Sequence, residues 1–248
     1  DIRFPCSILT QRHNQGRIVR GDPSRKVLYA RRGLGIRMGG THVGLVMAGG
    51  RGTRMGGVEK ALLEVDGRPL VEHVLMRLER VKSLRRTLCV TSPHTPRTTE
   101  HLRRLGVEVF IASGRGHYDD LHMALESMGS GSYAAFSADV PFINPEKVDE
   151  LLYRHHAGDL RGERMVVVMV PIGLVASLGL KPSSPARMTG GDLQHTGIKL
   201  IHYSAGTTLE RLLSEMRVIT VEEESFAVNV NTPEDLKAAR RLVRRFAI

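Results

Sequence analysis

The stretch LVMAGGRGTRMGGVEK, Leu45 to Lys60, is an apolar run that breaks into glycines and then presents Arg54 and Lys60. The run reads as a buried strand, and bare backbone followed by two fixed cations asks for an anionic ligand. Two well-known glycine motifs fail here. Walker A needs G-x-x-x-x-G-K-[ST], yet Glu59 precedes Lys60, and Gly57 lies three residues before the lysine. A dinucleotide fingerprint started at Gly50 and Gly52 has Met55 at its third glycine position. What stands is A-G-G-x-G-T-R-M-G with a lysine four residues further on. Gly49, Gly50 and Gly52 let backbone N–H groups approach phosphate oxygens as a nest. Arg54 can fork onto those oxygens and Lys60 adds a compact charge.

Outward from this stretch, strand and helix signals alternate. Pro69 opens a helix with Leu70, Val71, Val74, Leu75, Leu78 and Val81 on one face. TLCV, VEVFIA, YAAFSA and MVVVMV read as further strands, with a short helix around His101–Leu105, one through Met128 and one from Pro145. GIKLIHY and FAVNV read as late strands with a helix between them. A last helix is announced by Thr232, Pro233 and Asp235 as a capping-box-like start. The pattern predicts an α/β fold: a Rossmann-like, doubly wound, mostly parallel sheet with helices on both sides.

The 248 residues suit one α/β domain, and a 41% apolar, 25% charged composition is globular. The net charge of +10 is uneven. Residues 1–43 hold nine Lys/Arg and two Asp/Glu, a net +7, while the remainder holds 27 and 24, a net +3. The body is thus only mildly cationic, and with 4% aromatics and no Trp a nucleic-acid partner is not indicated. Two cysteines, Cys6 and Cys89, support neither a disulfide framework nor a zinc site. Absence of a long apolar run or signal-type segment predicts a cytoplasmic protein without a membrane span. Residues 1–42 are read as a basic, poorly ordered N-terminal extension to a domain spanning 43–248. Two readings of that leader stand: an extension with Met38 as the natural start, or a basic arm that touches phosphates.

In a doubly wound sheet ligands sit at the carboxyl ends of the strands. That rule gathers loops 48–60, 91–97, 112–120 and 138–144 on one rim, with the NVNT turn at 229–232 beside them. Asp139 in FSADVPF follows an apolar strand, where Mg²⁺ would partner a buried carboxylate; capping the segment from Pro141 is the alternative. Asn231, or else Asn229, could complete the metal shell or could simply stabilise the turn before the last helix. In SGRGHYDDL, Gly114 and Gly116 give backbone access beside Arg115 and His117. Asp119 and Asp120 there also suit a helix start. The other histidines, including the His155–His156 pair, lack ligand spacing and read as surface residues.

LVMAGGRGTRMGGVEK, FSADVPF and NVNTPEDL together resemble the signature of the nucleotidyltransferase superfamily, which includes sugar-phosphate pyrophosphorylases and the molybdenum-cofactor guanylyltransferase. With GGVEK, TSPHTPRTTEHL, SGRGHYDDL, SADV and TGIKLI, the chain more closely resembles the archaeal-type GTP:adenosylcobinamide-phosphate guanylyltransferase family, over about Val43 to Val243. The resemblance implies GMP transfer from GTP to a corrinoid phosphate acceptor, with release of pyrophosphate and with Mg²⁺ as cofactor. It implies nucleotide binding by Met47, Ala48, Gly49, Gly50, Gly52, Thr53, Arg54 and Lys60, with Ser92, Gly114 and Gly116 toward guanine and ribose. It further implies catalytic roles for Arg54, Lys60 and Asp139, and metal binding by Asp139 and Asn231. Where the superfamily often has Pro after the lysine, Ala61 stands here. Transferases acting on molybdopterin or a sugar 1-phosphate, and a non-catalytic nucleotide-binding protein, are the alternatives. A homodimer is compatible with the sequence, which does not set the oligomeric state.

Overall fold

The run before the glycines is the strand from which the sheet is laid out. The computed structural model describes residues 17–19, 39–159, 164–182, 185–188 and 191–246. The other residues, with Met38 and most of the basic leader among them, lie outside that description. From the leader, β1 (Arg17–Val19) is a short strand. The central strand is β2 (His42–Met47), buried throughout and begun one residue earlier than the sequence indicated. A small hairpin, β3 (Glu64–Val65) and β4 (Arg68–Pro69), turns at Asp66-Gly67, both at positive φ. It leads into α1 (Leu70–Leu78), whose apolar spacing buries Leu70, Val71, Val74, Leu75 and Leu78. There follow β5 (Leu84–Thr91), α2 (Pro96–Arg104), β6 (Val109–Ile111), α3 (His117–Met128), β7 (Gly131–Ser137) and α4 (Pro145–Ala157). The rest comprises β8 (Met165–Pro171), α5 (Ile172–Ser177), β9 (Pro185–Met188), β10 (Gly191–Tyr203), α6 (Leu209–Ser214), β11 (Met216–Thr220), α7 (Glu224–Ala227) and α8 (Pro233–Leu242).

The strands lie in the order β1-β6-β5-β2-β7-β10-β8-β11, with β9 paired to β10. β6, β5, β2 and β7 are parallel, so the order reverses at β2 and opens a crevice at its carboxyl end. β10 enters antiparallel between β7 and β8, making the sheet mixed but mostly parallel. Alternation divides the core cleanly. Val166, Val168 and Val170 of β8 face one layer with α1, α4 and α8, while Met165, Val167 and Met169 face the other with α3 and α6. No helix among the described residues is long and apolar enough to cross a membrane.

Two sequence expectations are corrected. FAVNV is not a strand: Phe226 and Ala227 close α7, and 228–230 runs without a ladder, tied by Val230 N–H donating to the Asp139 carbonyl at 2.9 Å. The late strand is instead Met216–Thr220, whose exposed Met216 and Arg217 at the sheet edge weaken its apolar signature. His155 is not a surface residue. It lies four residues beyond Leu151 on the inward face of α4 and is fully buried, whereas His156 is exposed.

His155 belongs to a cluster at the opposite end of the sheet from the crevice. Its Nδ1 meets Nε2 of fully buried His42 at 2.8 Å, and its ring stacks on His202 at 3.9 Å. Burial first, then the neighbouring His202, holds His42 down to about 4 and His155 to about 3. Between these values and the ordinary 6.5, the unfolded chain binds protons that the folded protein does not. Stability therefore falls on acidification through that window and is full above it. The thermal unfolding midpoint, followed by circular dichroism, is expected to drop from pH 6.5 toward pH 4. His155→Leu should flatten that dependence.

Candidate active site

Strand ends at the switch point of the sheet enclose a cleft of about 340 Å³. From β2 come Met47, Ala48, Gly49, Gly50 and Arg51, followed by Lys60 and Ala61; from β7 come Ser137, Ala138 and Asp139. Gly114, Arg115, Gly116, His117 and Asp120 line it from the β6–α3 connection. Residues from three separated motifs thus meet, as the carboxyl-end rule required.

The glycine loop has its shape for identifiable reasons. Gly52 sits at φ +61°, and a Cβ there would come within 2.0 Å of the Val58 carbonyl oxygen, so no other residue fits without rearrangement. A Cβ on Gly50 would meet nothing within 4 Å, which leaves its backbone approachable. Thr53 and Arg54 lie on an exposed turn, Thr53–Met55, outside the cleft lining, while Arg51 is on it. Ser92 does not line the cleft either. It is 1% exposed and donates its hydroxyl to the Gly49 carbonyl at 2.7 Å, bracing the loop from behind.

Two carboxylates act as internal braces, a role the sequence did not indicate for either. Glu59 accepts from the backbone N–H groups of Arg97 at 3.0 Å and Thr98 at 2.6 Å, and from the Thr98 hydroxyl at 2.7 Å. It supplies the cap that the Thr95 side chain does not, and this explains why α2 begins at Pro96 rather than near His101. Asp120, buried at the start of α3, accepts from Gly114 N–H at 2.8 Å and from the Ser113 hydroxyl at 3.1 Å. Burial pushes its carboxyl above the usual range, against those two hydrogen bonds. The helix-dipole reading of Asp120 is therefore secondary to its hold on the loop.

At the centre, the Lys60 ammonium pairs with the Asp139 carboxylate and donates to Asn231 Oδ1 at 2.8 Å. Asp139 is not a helix cap, since Asn144 caps α4 by accepting from Lys147 N–H at 3.1 Å. Asn231 is held by the capping box of α8: Asp235 accepts from Asn231 N–H at 3.0 Å and Thr232 N–H at 2.9 Å. Asp139 is 8% exposed, and its Oδ1 has no hydrogen-bond partner; the same holds for Asn229 Oδ1. An orphaned carboxylate oxygen on Asp139 and an orphaned amide oxygen on Asn229, next to the residue whose N–H meets the Asp139 carbonyl, fit a hard divalent cation that takes its remaining ligands from phosphate and water. No cluster of three or more His, Cys, Asp or Glu side chains suited to a metal exists among the described residues, so substrate oxygens would have to supply much of the shell.

Lys199 is the residue that sequence reasoning missed most plainly. It is 5% exposed, and its ammonium hydrogen-bonds His117 Nε2 at 2.8 Å beneath the cleft wall. Burial holds it down to about 8, with Asp139 opposing. The His117 imidazole is also depressed, by its crowded position first and the Lys199 charge second, although part of the ring stays open to solvent. A signal was present: Lys199 occupies an inward position between Ile198 and Leu200, just after Gly197 in mid-strand.

Such a sheet, with a glycine cradle, a lysine and an aspartate at its switch point, defines an α/β nucleotidyltransferase. The chain belongs to the MobA-like NTP transferase domain family, whose model matches residues 44–181. It is 28% identical over 208 residues to an adenosylcobinamide-phosphate guanylyltransferase of Methanocaldococcus jannaschii, covering 81% of this chain and 97% of that one. It is 31% identical over 111 residues to a probable molybdenum cofactor guanylyltransferase of Pyrococcus horikoshii, covering 44% and 54%. Among solved structures, the molybdopterin-guanine dinucleotide biosynthesis protein A of Archaeoglobus fulgidus superposes with a TM-score of 0.57 at 21% identity, over 82% of this chain and 99% of that one.

Glu59→Ala is expected to lower unfolding free energy in urea by about 1–2 kcal/mol, the usual cost of a lost helix cap. Glu59→Gln, which keeps an acceptor oxygen, should lose less.

Proposed function

We propose that this protein transfers GMP from GTP to adenosylcobinamide phosphate, giving adenosylcobinamide-GDP and pyrophosphate. The observation that carries the chemistry is Lys60 at the base of the glycine loop, joined to Asp139 and Asn231. The similarity over nearly the whole length of the Methanocaldococcus jannaschii protein supports the acceptor. The molybdopterin alternative has the support of a match to only 54% of its Pyrococcus horikoshii relative.

In this reading Met47, Ala48, Gly49, Gly50 and Gly52 shape the cradle, and their N–H groups receive the triphosphate. Thr53 and Arg54 stand at its mouth, and Gly114 and Gly116 flank the nucleoside. The acceptor's phosphate oxygen attacks the α-phosphorus in line, a new P–O bond forms, and the bond to the β-phosphate oxygen breaks. A phosphate monoester is already largely ionised near neutral pH, so no general base is required. Lys60 and the guanidinium of Arg54 offset charge that grows on the α-phosphate and the departing pyrophosphate. Asp139 and Asn231, with Asn229 beside them, would hold Mg²⁺, which when bound neutralises phosphate charge. Positioning and electrostatics do the catalytic work.

Labelled GTP incubated with either adenosylcobinamide phosphate or molybdopterin, with Mg²⁺ present or chelated, tests the assignment. Label should pass to the corrinoid and not to molybdopterin, and chelation should stop it; transfer to molybdopterin alone would reverse the assignment. Lys60→Ala is expected to lower kcat by about 10²–10³-fold, the usual loss when one preorganised charge contact is removed. Arg54→Ala should also lose orders of magnitude. A larger loss in Arg51→Ala would transfer the guanidinium's role to the residue on the cleft wall.

A further inference from the structure

We propose that Lys199 and His117 form a second phosphate-binding subsite, which receives the phosphate of the acceptor. The proposal rests on the guanylyltransferase reading above.

Lys199 is a buried cation without a matching anion. No carboxylate among the described residues lies within salt-bridge distance of it; its contacts are the neutral His117 ring and the face of Tyr118, 5.4 Å from the ammonium. An imidazole can accept a hydrogen bond from an ammonium but supplies no negative charge, so the desolvation cost of Lys199 stays largely uncompensated. The nearest help comes from Asp139, which Lys60 already engages. A phosphate dianion settling against this pair would meet that deficit.

The backbone aims the lysine there on purpose-built geometry. The pairing of β10 with β8 shifts register between His195 and Lys199, and Gly197, at φ +78°, passes so close to β7 that a Cβ would lie 2.6 Å from that of Ser137. Such a bulge turns a side chain from its regular direction. Lys199 then lies under the α3 side of the sheet, where His117 is on the cleft wall. An ammonium only donates, so His117 Nε2 is the acceptor and the imidazole proton resides on Nδ1. The pair therefore offers a positive charge and an N–H donor together.

Strand order says which phosphate this is. The β5 and β6 loops read as the nucleoside side lie beyond β2 in one direction, and β10 lies beyond β7 in the other. Asp139 sits between them. The glycine loop proposed to hold the departing pyrophosphate follows β2, so a phosphate held at Lys199 of β10 stands across Asp139 from the leaving group, the side from which in-line attack on the α-phosphorus comes.

The full chain, loaded with Mg²⁺ and a saturating α,β-methylene analogue of GTP, is titrated with inorganic phosphate while the His117 side-chain ¹⁵N signals are followed. Wild type should show a saturable shift of the Nδ1–H resonance. Lys199→Met should weaken phosphate binding at least about tenfold, the scale of one charge-assisted contact, with affinity for the analogue changed by less than about twofold. His117→Gln, read by phosphorus NMR of the added phosphate, should also weaken it and covers the case in which the lysine variant does not fold. Unchanged phosphate binding in these variants, or none in the loaded wild type, overturns the subsite. Loss of analogue affinity in Lys199→Met as large as the loss of phosphate binding assigns the pair to the triphosphate tail and overturns the acceptor role. Failure of wild type to bind the analogue at all overturns the guanylyltransferase reading itself, and the subsite with it.

Discussion

One ammonium organises the cleft. Lys60 joins the loop after β2 to the carboxylate that ends β7 and to the amide that precedes α8. The two partners are 79 and 171 residues from the lysine in sequence. The Lys60 and Asp139 side chains are 21% and 11% exposed, so the pair is screened less than a surface ion pair. Removing either partner would leave the other charge half-buried and unmet. The strand ends are therefore held in register by the same groups that are proposed to meet phosphate, and fold and site share one set of contacts.

The parallel core was legible because its signals are local. Each strand is a short apolar run, each helix has its period, and Thr232, Pro233 and Asp235 do form a full capping box. What escaped was set by pairing across the sheet. The edge strand Met216–Thr220 has an exposed half and lacks apolar alternation, so only its ladder with β8 identifies it. FAVNV has an apolar composition fit for a strand, yet it is buried by packing, and its hydrogen bonds run to the Asp139 carbonyl and from the Gln194 side chain to the Ala227 carbonyl rather than along a ladder. His155 shows the same limit: adjacent histidines look alike in sequence, and the turn of α4 buries one and exposes the next.

In the candidate site, the glycines and Asp139 could be read because they follow strand ends, and Lys60 because it closes the glycine loop that follows β2. The braces could not. Glu59 and Asp120 act through backbone N–H groups of neighbouring loops, and which N–H a carboxylate reaches depends on tertiary geometry. Ser92 was placed in the right loop, but its hydroxyl is turned inward onto Gly49. The loop's neighbours are thus spent on holding it still, which is what a preorganised anion site needs.

Those inward-facing carboxylates have a consequence for how a ligand arrives. Glu59, Asp120 and Asp235 direct their negative charge at peptide N–H groups, and Asp139 is matched by Lys60. The exposed cations on the cleft lining are Arg51 and Arg115, with backbone dipoles of the glycine loop beside them. A concave wall on which positive charge predominates gathers field lines. A polyanion diffusing past is drawn inward before it touches anything, and its capture rate becomes a property of the ionic strength of the solution as much as of the shape of the pocket.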